Sequence, residues 1–265
     1  MTLLAISPHL DDAAFSAGGA LATWAAVGHR VVVATVFTRS VPDPVGFALA
    51  CQTDKGVAPD ADYLALRRVE DAAACAHLGA EPVWLDLEEA PHRGYDSPDA
   101  LFGRVLPGDC DTWKAVRDRV LEVVDEVRPD LVLSCQGLGG HVDHAHVVQA
   151  VAGLEGGGGA PVAWWRDTPY AIRGAGRPAP DLPSDLEDVA VPLEDDALGA
   201  KLDACVAYAT QIGYQFARDA PEGSSKDVTR RRIRAFATAE GRRFGLPAAE
   251  AFAVRLGTRL PPARS

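Results

Sequence analysis

Histidines and aspartates that could bind a metal ion are concentrated in two short segments of the chain. The first reads SPHLDD over residues 7–12, and the second reads GLGGHVDH over residues 137–144. Neutral imidazole and carboxylate are both ligands of Zn²⁺, and a catalytic ion takes three protein ligands and keeps one position open for water. Together the two segments predict one metal site built from two imidazoles and one carboxylate.

Each segment also has a structural interpretation, in which Asp11 or Asp12 only caps a helix and the histidines are satisfied within the fold. Three of the seven histidines lie in these two segments, which favours the metal site. Two imidazoles and a carboxylate also match the triad that holds Fe²⁺, so the residues alone leave the choice between Zn²⁺ and Fe²⁺ open. We favour Zn²⁺, which would lower the pKa of a bound water to about 7.

The elements that must position these residues alternate between apolar runs of strand length and segments with helical periodicity. This alternation predicts an α/β fold, with a Rossmann-like open sheet that is mainly parallel and has helices on both faces. The predicted strands are Leu3–Ile6, Arg30–Phe37, Pro82–Leu87, Asp130–Cys135, Val162–Trp165 and Asp188–Pro192. The predicted helices are Ala13–Val27, Tyr63–Leu78, Thr112–Val127, Ala145–Val151, Asp196–Ile212 and about Asp227–Arg243. Both His/Asp segments follow a strand and precede a helix, at the sheet edge where open α/β folds bind ligands.

Three segments rich in Gly, Pro or Asp are predicted loops: Thr38–Asp60, Glu88–Asp111 and Gly156–Gly159. The first two exceed the usual loop length, so we expect them to form walls of a substrate site. The chain shows no internal repeat and no linker, and we expect residues 1–265 to form a single domain. The last helix carries four arginines, for which a solvated helix face is a better interpretation than an anion site: Arg230, Arg231, Arg232 and Arg234.

Composition excludes several classes of partner. The 265 residues include 37 acidic and 26 basic ones, and the formal net charge of −11 would repel nucleic acids and anionic lipid surfaces. No stretch approaches the roughly 18 apolar residues of a membrane span, and residues 1–10 do not resemble a signal peptide. The five cysteines are scattered singly, so we expect reduced thiols and a cytoplasmic protein. With nucleic acids and membranes excluded, we expect the partner to be a small-molecule substrate.

The spacing of the two motifs resembles a known family. The pattern H-x-D-D at residues 9–12, followed by Gly18-Gly19 and by a downstream H-x-D-H at residues 141–144, is similar to the PIG-L (LmbE-like) family of zinc-dependent N-deacetylases. Further stretches of the chain resemble the same family: Arg67-x-x-Glu70 leading to Leu78-Gly79, Asp167-x-Pro169-Tyr170, and Lys201 with Tyr208 and Gln211. The resemblance therefore extends along most of the chain.

The resemblance implies a role for each residue of the two motifs. It implies three metal ligands, which are His9, Asp12 and His144. It implies that Asp11 is the general base, that His141 is the electrophile or acid at the oxyanion, and that Asp143 orients a histidine through a hydrogen bond. Some members place a tyrosine near the second motif, where this chain has Leu138, Gly139 and Gly140. We interpret His146 as structural.

Three further residues are predicted to contact a substrate. Arg67 matches the substrate-binding arginine of the family and could form a forked pair with sugar hydroxyls or a carboxylate, although it could also pair with Glu70 or Asp71 on its own helix. Asp86 and Arg93, at and after the third strand end, are weaker candidates for contacts with a sugar. Trp164 and Trp165 are assigned to the core.

The resemblance implies a hydrolase that removes an acetyl group from an amino sugar, such as an N-acetylglucosamine-type glycoside. One alternative is an amidase of the same family that cleaves a larger acyl or thiol-conjugate amide. A second alternative, of another class, is a non-catalytic metabolite-binding domain of Rossmann-like architecture. The second is less favoured because the first strand–helix turn carries two aspartates instead of a glycine-rich phosphate loop.

Overall fold

A seven-stranded sheet forms the centre of the molecule. The computed structural model describes residues 1–154, 159–174, 177–218 and 223–263. Within these ranges the strand order is β3-β2-β1-β4-β5-β7-β6. The strands are β1 Thr2–Ser7, β2 Arg30–Phe37, β3 Glu81–Leu87, β4 Leu131–Cys135, β5 Val162–Trp165, β6 Leu186–Pro192 and β7 Ala249–Arg255. Strands β1 to β5 pair in parallel, and β7 pairs antiparallel with β5 and β6. The predicted, mainly parallel α/β sheet is confirmed.

The position of β1 in the sheet determines where a site can form. β1 lies between β2 and β4, with Ser7 opposite Thr35 and Ile6 opposite Ser134. Strands β2 and β3 are added on one side of β1, and β4 is then added on its other side. This reversal of strand order opens a crevice at the carboxyl ends of β1 and β4. The segments that follow β1, β4 and β5 therefore meet at one edge.

Helices cover both faces of the sheet, in two packed groups. The helices are α1 Asp12–Ala26, α2 Gly46–Thr53, α3 Tyr63–Leu78, α4 Pro98–Leu101, α5 Thr112–Val127, α6 Val142–Ala152, α7 Asp195–Ala207, α8 Ala209–Phe216 and α9 Ser225–Arg243. Helices α1, α3, α7 and α9 pack against one another, and α5 packs against α6. Small residues let α1 approach its neighbours: a Cβ at Gly19 would lie 2.7 Å from Leu193 Cδ1.

The structure differs from the sequence prediction in a few elements. The helix predicted over Asp196–Ile212 is two helices, because the chain breaks at Tyr208 (φ −79°, ψ 62°). Tyr208 Oη donates a buried hydrogen bond to Asp71 Oδ1 at 2.8 Å, a tertiary contact that helical periodicity does not reveal. Strand β7 was not predicted. Each of the two long predicted loops contains short helical segments, and the predicted loop Gly156–Gly159 lies outside the described residues except for Gly159.

The core is formed by the sheet and its helical layers. Strands β1, β4 and β5 are almost wholly buried, as parallel strands covered on both faces must be. Trp164 and Trp165 are fully buried in this core, as predicted. None of the helices in the described ranges is long and apolar enough to span a membrane.

Candidate metal centre and active site

The first His/Asp segment is a tight turn between β1 and α1 that is held by its own hydrogen bonds. Ser7 Oγ donates to the carbonyl of His9 at 2.8 Å and accepts from Ala13 N at 3.1 Å. The backbone N–H of His9 donates to Asp12 Oδ2 at 2.9 Å. Asp11 adopts φ 157° and ψ −31°, a conformation that is rare for a residue with a side chain. These contacts fix the two aspartates next to His9.

Three side chains bring their donor atoms together as a metal site requires. Asp12 Oδ2 lies 3.2 Å from His9 Nδ1 and 3.3 Å from His144 Nε2. A tetrahedral ion bound at about 2.0–2.2 Å from its ligands needs them about 3.3–3.6 Å apart. His144 Nε2 is buried and makes no hydrogen bond within the described residues. The donor set and its spacing therefore fit a divalent cation.

A carboxylate orients each of the two histidines from the opposite side of its ring. His9 Nε2 hydrogen-bonds Asp143 Oδ2 at 2.9 Å, and His144 Nδ1 hydrogen-bonds Asp167 Oδ1 at 2.7 Å. Each histidine thus directs its other nitrogen toward Asp12. Such carboxylate–histidine pairs fix the tautomer and increase the basicity of the ligand.

Asp167 was not predicted as a site residue. It is buried, lies two residues after the end of β5, and also accepts a hydrogen bond from the backbone of Leu138 at 3.1 Å. The available signal was its position: β5 lies next to β4 in the sheet, so an aspartate at its carboxyl end lies beside the second His/Asp segment.

His141 caps helix α6 through its side chain. Its Nδ1 accepts a hydrogen bond from the backbone N–H of Asp143 at 3.2 Å, so Nδ1 carries no proton and Nε2 does. Burial lowers the pKa of His141 to about 3, which keeps the ring neutral at pH 7. His141 is thereby suited to donate a hydrogen bond from Nε2.

Asp11 is held between an arginine and the group formed by His9, Asp12 and His144, which we call the metal-ligand cluster. Arg67 Nη2 lies 3.7 Å from Asp11 Oδ2 and donates to the carbonyl of Leu10 at 3.1 Å, while Nη1 pairs with Glu89 at 2.6 Å. Burial raises the pKa of Asp11 to about 7, as does the nearby charge of Asp12, although Arg67 opposes the change. Arg67 therefore does not pair with its own helix, as the alternative interpretation held, but reaches the site.

Two residues predicted to contact a substrate lie elsewhere. Asp86 has a side chain that is 65% exposed, lies near Arg39 at 3.4 Å and does not line the cavity described below, so its placement does not support a substrate contact. Arg93 does not line that cavity either. Its guanidinium pairs with Asp143 at 2.6 Å and with Asp109 at 2.8 Å, which makes it a support for the carboxylate that orients His9.

The predicted structural role of His146 agrees with its surroundings. Its Nε2 hydrogen-bonds Asp109 Oδ2 at 2.9 Å, and both side chains are buried. Asp109 also pairs with Arg93, which in turn holds Asp143. His146 is therefore connected to His9 through the polar contacts of Asp109, Arg93 and Asp143.

A cavity of about 450 Å³ opens over the cluster. His9, Asp11, Asp12 and His141 line its floor, and its walls include residues from both long predicted loops, such as Phe47, Cys51, Glu89 and Phe102. The expectation that these segments border a pocket agrees with their placement.

Tyr170 also lines the cavity, although it was predicted only as part of a stretch that resembles the family. Its ring meets that of His144 edge-on, at 5.6 Å between centroids. The ring packs on Gly139, where an added Cβ would lie 2.7 Å from it, and Gly139 has φ +90°. The second motif therefore needs a glycine at this position for both conformational and steric reasons.

The chain is similar in sequence to known deacetylases. A deacetylase of 2′-N-acetylparomamine from Streptomyces fradiae is 36% identical over 170 residues, which is 63% of this chain and 57% of the relative. The match thus spans little more than half of that relative. A 1D-myo-inositol 2-acetamido-2-deoxy-alpha-D-glucopyranoside deacetylase from Corynebacterium glutamicum is 28% identical over 240 residues, covering 79% of this chain and 74% of the relative.

Solved structures and a family model extend the comparison. The zinc-inhibited form of a teicoplanin deacetylase superposes with a TM-score of 0.80 and 29% identity, covering 98% of this chain and 100% of that one. The family model described as GlcNAc-PI de-N-acetylase matches residues 4–154, which include both His/Asp segments. Since that match takes in more than half of the 265 residues, the chain belongs to the PIG-L family.

Proposed function

We propose that this chain is a divalent-metal-dependent hydrolase that removes the N-acetyl group from an amino sugar glycoside. The observation that carries the proposal is the set of three converging donor atoms from His9, Asp12 and His144, of which His9 and Asp12 line the 450 Å³ cavity. Asp11 and His141 line the same cavity. The names of the relatives, which are deacetylases of N-acetylated sugars, support the choice of reaction.

His9, Asp12 and His144 would hold the ion. When bound, a divalent ion polarises the amide carbonyl and lowers the pKa of a neighbouring water. We propose Zn²⁺, supported by the two-histidine, one-carboxylate donor set; Fe²⁺ suits the same set and is the comparison ion in the experiment below.

Asp11 and His141 would perform the proton chemistry and stabilise the oxyanion. Water adds to the acetyl carbonyl carbon, and Asp11 takes a proton from that water as a general base. His141 donates a hydrogen bond from Nε2 to the oxygen that becomes negative, since its Nδ1 is already an acceptor. The C–N bond then breaks, the departing nitrogen takes up the proton, and acetate and a free amine are released.

The surrounding residues position these groups. Asp143 and Asp167 hold the histidine ligands, and Arg93 holds Asp143. Arg67 lines the cavity beside Asp11 and would donate hydrogen bonds to sugar hydroxyls.

The proposal is tested by acetate release from purified protein loaded with Zn²⁺ or with Fe²⁺. The substrates are N-acetylglucosaminides with several aglycones, free N-acetylglucosamine, and the same glucosaminides carrying longer acyl chains. We expect acetate from the glycosides, a slower reaction with the free sugar because it lacks the binding energy of an aglycone, and no activity in His144→Ala. Hydrolysis of long acyl amides without acetate release would instead indicate the amidase, and binding without hydrolysis would indicate a non-catalytic domain.

Two properties of the whole chain belong to the same proposal. We propose that residues 1–265 form one deacetylase domain, because β5, β6 and β7 complete the sheet begun within residues 4–154. We also propose a cytoplasmic location, supported by the five free cysteines, three of them buried.

A further inference from the structure

The cavity over the metal-ligand cluster is lined by charged groups of both signs. Its floor carries the carboxylates of Asp11 and Asp12. Its lining also includes three arginines that the deacetylation chemistry does not use: Arg173, Arg218 and Arg232. This basic rim is unexpected in a chain whose formal net charge is −11, because surface charge on such a protein is mostly negative.

The basic rim is built around the end of helix α8, from three separate segments. Arg173 donates from Nη2 to the carbonyl of Gln215 at 2.6 Å, which joins the loop after β5 to α8. The guanidinium of Arg218 lies 4.7 Å from the centre of the Tyr214 ring. Arg232 projects from α9, which packs against α8. The three cations therefore border one part of the cavity.

The arginines of the basic rim are not neutralised by the described part of the chain. Among residues 1–154, 159–174, 177–218 and 223–263, no carboxylate lies within 4 Å of Arg173, Arg218 or Arg232, whereas Arg230 on the same helix α9 pairs with Asp203 at 2.6 Å. Arg67, the arginine near the floor, also has carboxylates nearby, with Glu89 at 2.6 Å and Asp11 at 3.7 Å. Like charges brought together without counter-charges raise the free energy of the folded chain and favour an anionic ligand.

We propose that the basic rim binds an anionic group, a carboxylate or a phosphate, on the aglycone of the substrate. This inference rests on the proposed deacetylation of an amino sugar glycoside and specifies the chemistry of the part beyond the sugar. In the metal-loaded protein the divalent ion would offset the charges of Asp11 and Asp12, whereas the basic rim keeps its positive charge, so an anionic aglycone would bind at the rim with the acetamido group toward His9, Asp12 and His144. A cationic aglycone would be repelled from the rim.

The test measures binding of reaction products, so that it does not depend on turnover. Four aryl glucosaminides are titrated calorimetrically into metal-loaded protein: phenyl, 4-carboxyphenyl, 4-phosphophenyl and 4-(aminomethyl)phenyl. We expect one or both anionic compounds to bind about tenfold more tightly than the phenyl compound, and the cationic one more weakly, since exposed ion pairs add only modest amounts each. The advantage of the anion should shrink as salt is raised.

The variants Arg173→Gln, Arg218→Gln and Arg232→Gln should each reduce the advantage of the anion about twofold and leave binding of the phenyl compound nearly unchanged. Arg234→Gln is the matched control, because Arg234 lies on the same helix α9, is exposed and does not line the cavity. Equal affinity for the anionic and neutral compounds, no binding of any compound, or an equal loss in Arg234→Gln would overturn the inference. Failure of acetate release with tight anion binding would instead refute the proposed deacetylation.

Discussion

Replacement of Asp167 by asparagine tests whether the residue that sequence analysis missed controls metal affinity. Asp167 accepts two hydrogen bonds, from His144 Nδ1 at 2.7 Å and from Leu138 N at 3.1 Å, and its side chain is 1% exposed. An asparagine has the same shape but only one acceptor oxygen, so one of the two N–H groups would face an NH₂ group. The neutral amide would also accept a weaker hydrogen bond from the imidazole than the carboxylate does. The imidazole of His144 would then be less basic and a weaker metal ligand.

The expected loss of Zn²⁺ affinity in Asp167→Asn is about 10- to 100-fold, equivalent to about 1.4–2.7 kcal/mol. It is measured by calorimetric titration of metal-free protein with Zn²⁺ in the presence of a competing chelator. Asp86→Asn is the matched control, since it makes the same chemical change at an exposed aspartate outside the cavity. Zn²⁺ affinity in Asp167→Asn within twofold of the parent protein, or an equal loss in Asp86→Asn, would refute the reasoning.

Three further predictions concern neighbouring residues. Asp11→Asn should retain its metal and lose about 10²–10⁴-fold in rate, whereas Asp12→Asn should also lose metal by elemental analysis; the reverse pattern would contradict the assigned roles. Arg67→Ala should lower the free energy of unfolding by about 3–5 kcal/mol in denaturant titrations, because it leaves buried carboxylates unpaired, and an unchanged stability would show that the pairing is unimportant. Gly139→Ala should cost more stability than Gly28→Ala, which has a similar φ of +89° but no neighbour within 4 Å; equal thermal shifts would exclude a role for the contact with Tyr170.

The sequence was sufficient to predict six of the seven strands in the described ranges and the meeting of the two His/Asp segments at one edge of the sheet. Local order along the chain carries that information: a buried strand, a short polar turn and a helix recur at residues 2–26 and at residues 131–152. Parallel pairing of β1 with β4 then brings His9 close to His144 without any detail of side-chain packing. Pattern and topology therefore bring the two His/Asp segments together, whereas the choice of His9, Asp12 and His144 as ligands is what the resemblance to the PIG-L family implies.

Contacts between residues far apart in the sequence were not predictable in the same way. The bond between His144 and Asp167 joins helix α6 to the segment after β5, and that between Tyr208 and Asp71 joins α3 to the end of α7. Each depends on side-chain geometry that periodicity does not encode. The break between α7 and α8 was missed because helical periodicity continues through Tyr208 even though its backbone leaves the helix.

The arginines show why residue type alone does not assign a role near such a site. A guanidinium can bind a substrate or hold a carboxylate of the protein, and the sequence is the same in either case. Arg93 was predicted to touch a sugar, but its nitrogens are taken by Asp109 and Asp143. Arg232 was assigned to a solvated helix face, yet it lines the cavity and has no carboxylate partner within the described ranges. Arg93 and Arg232 differ in the number of guanidinium N–H groups that are left free to face a ligand, and tertiary contacts set that number.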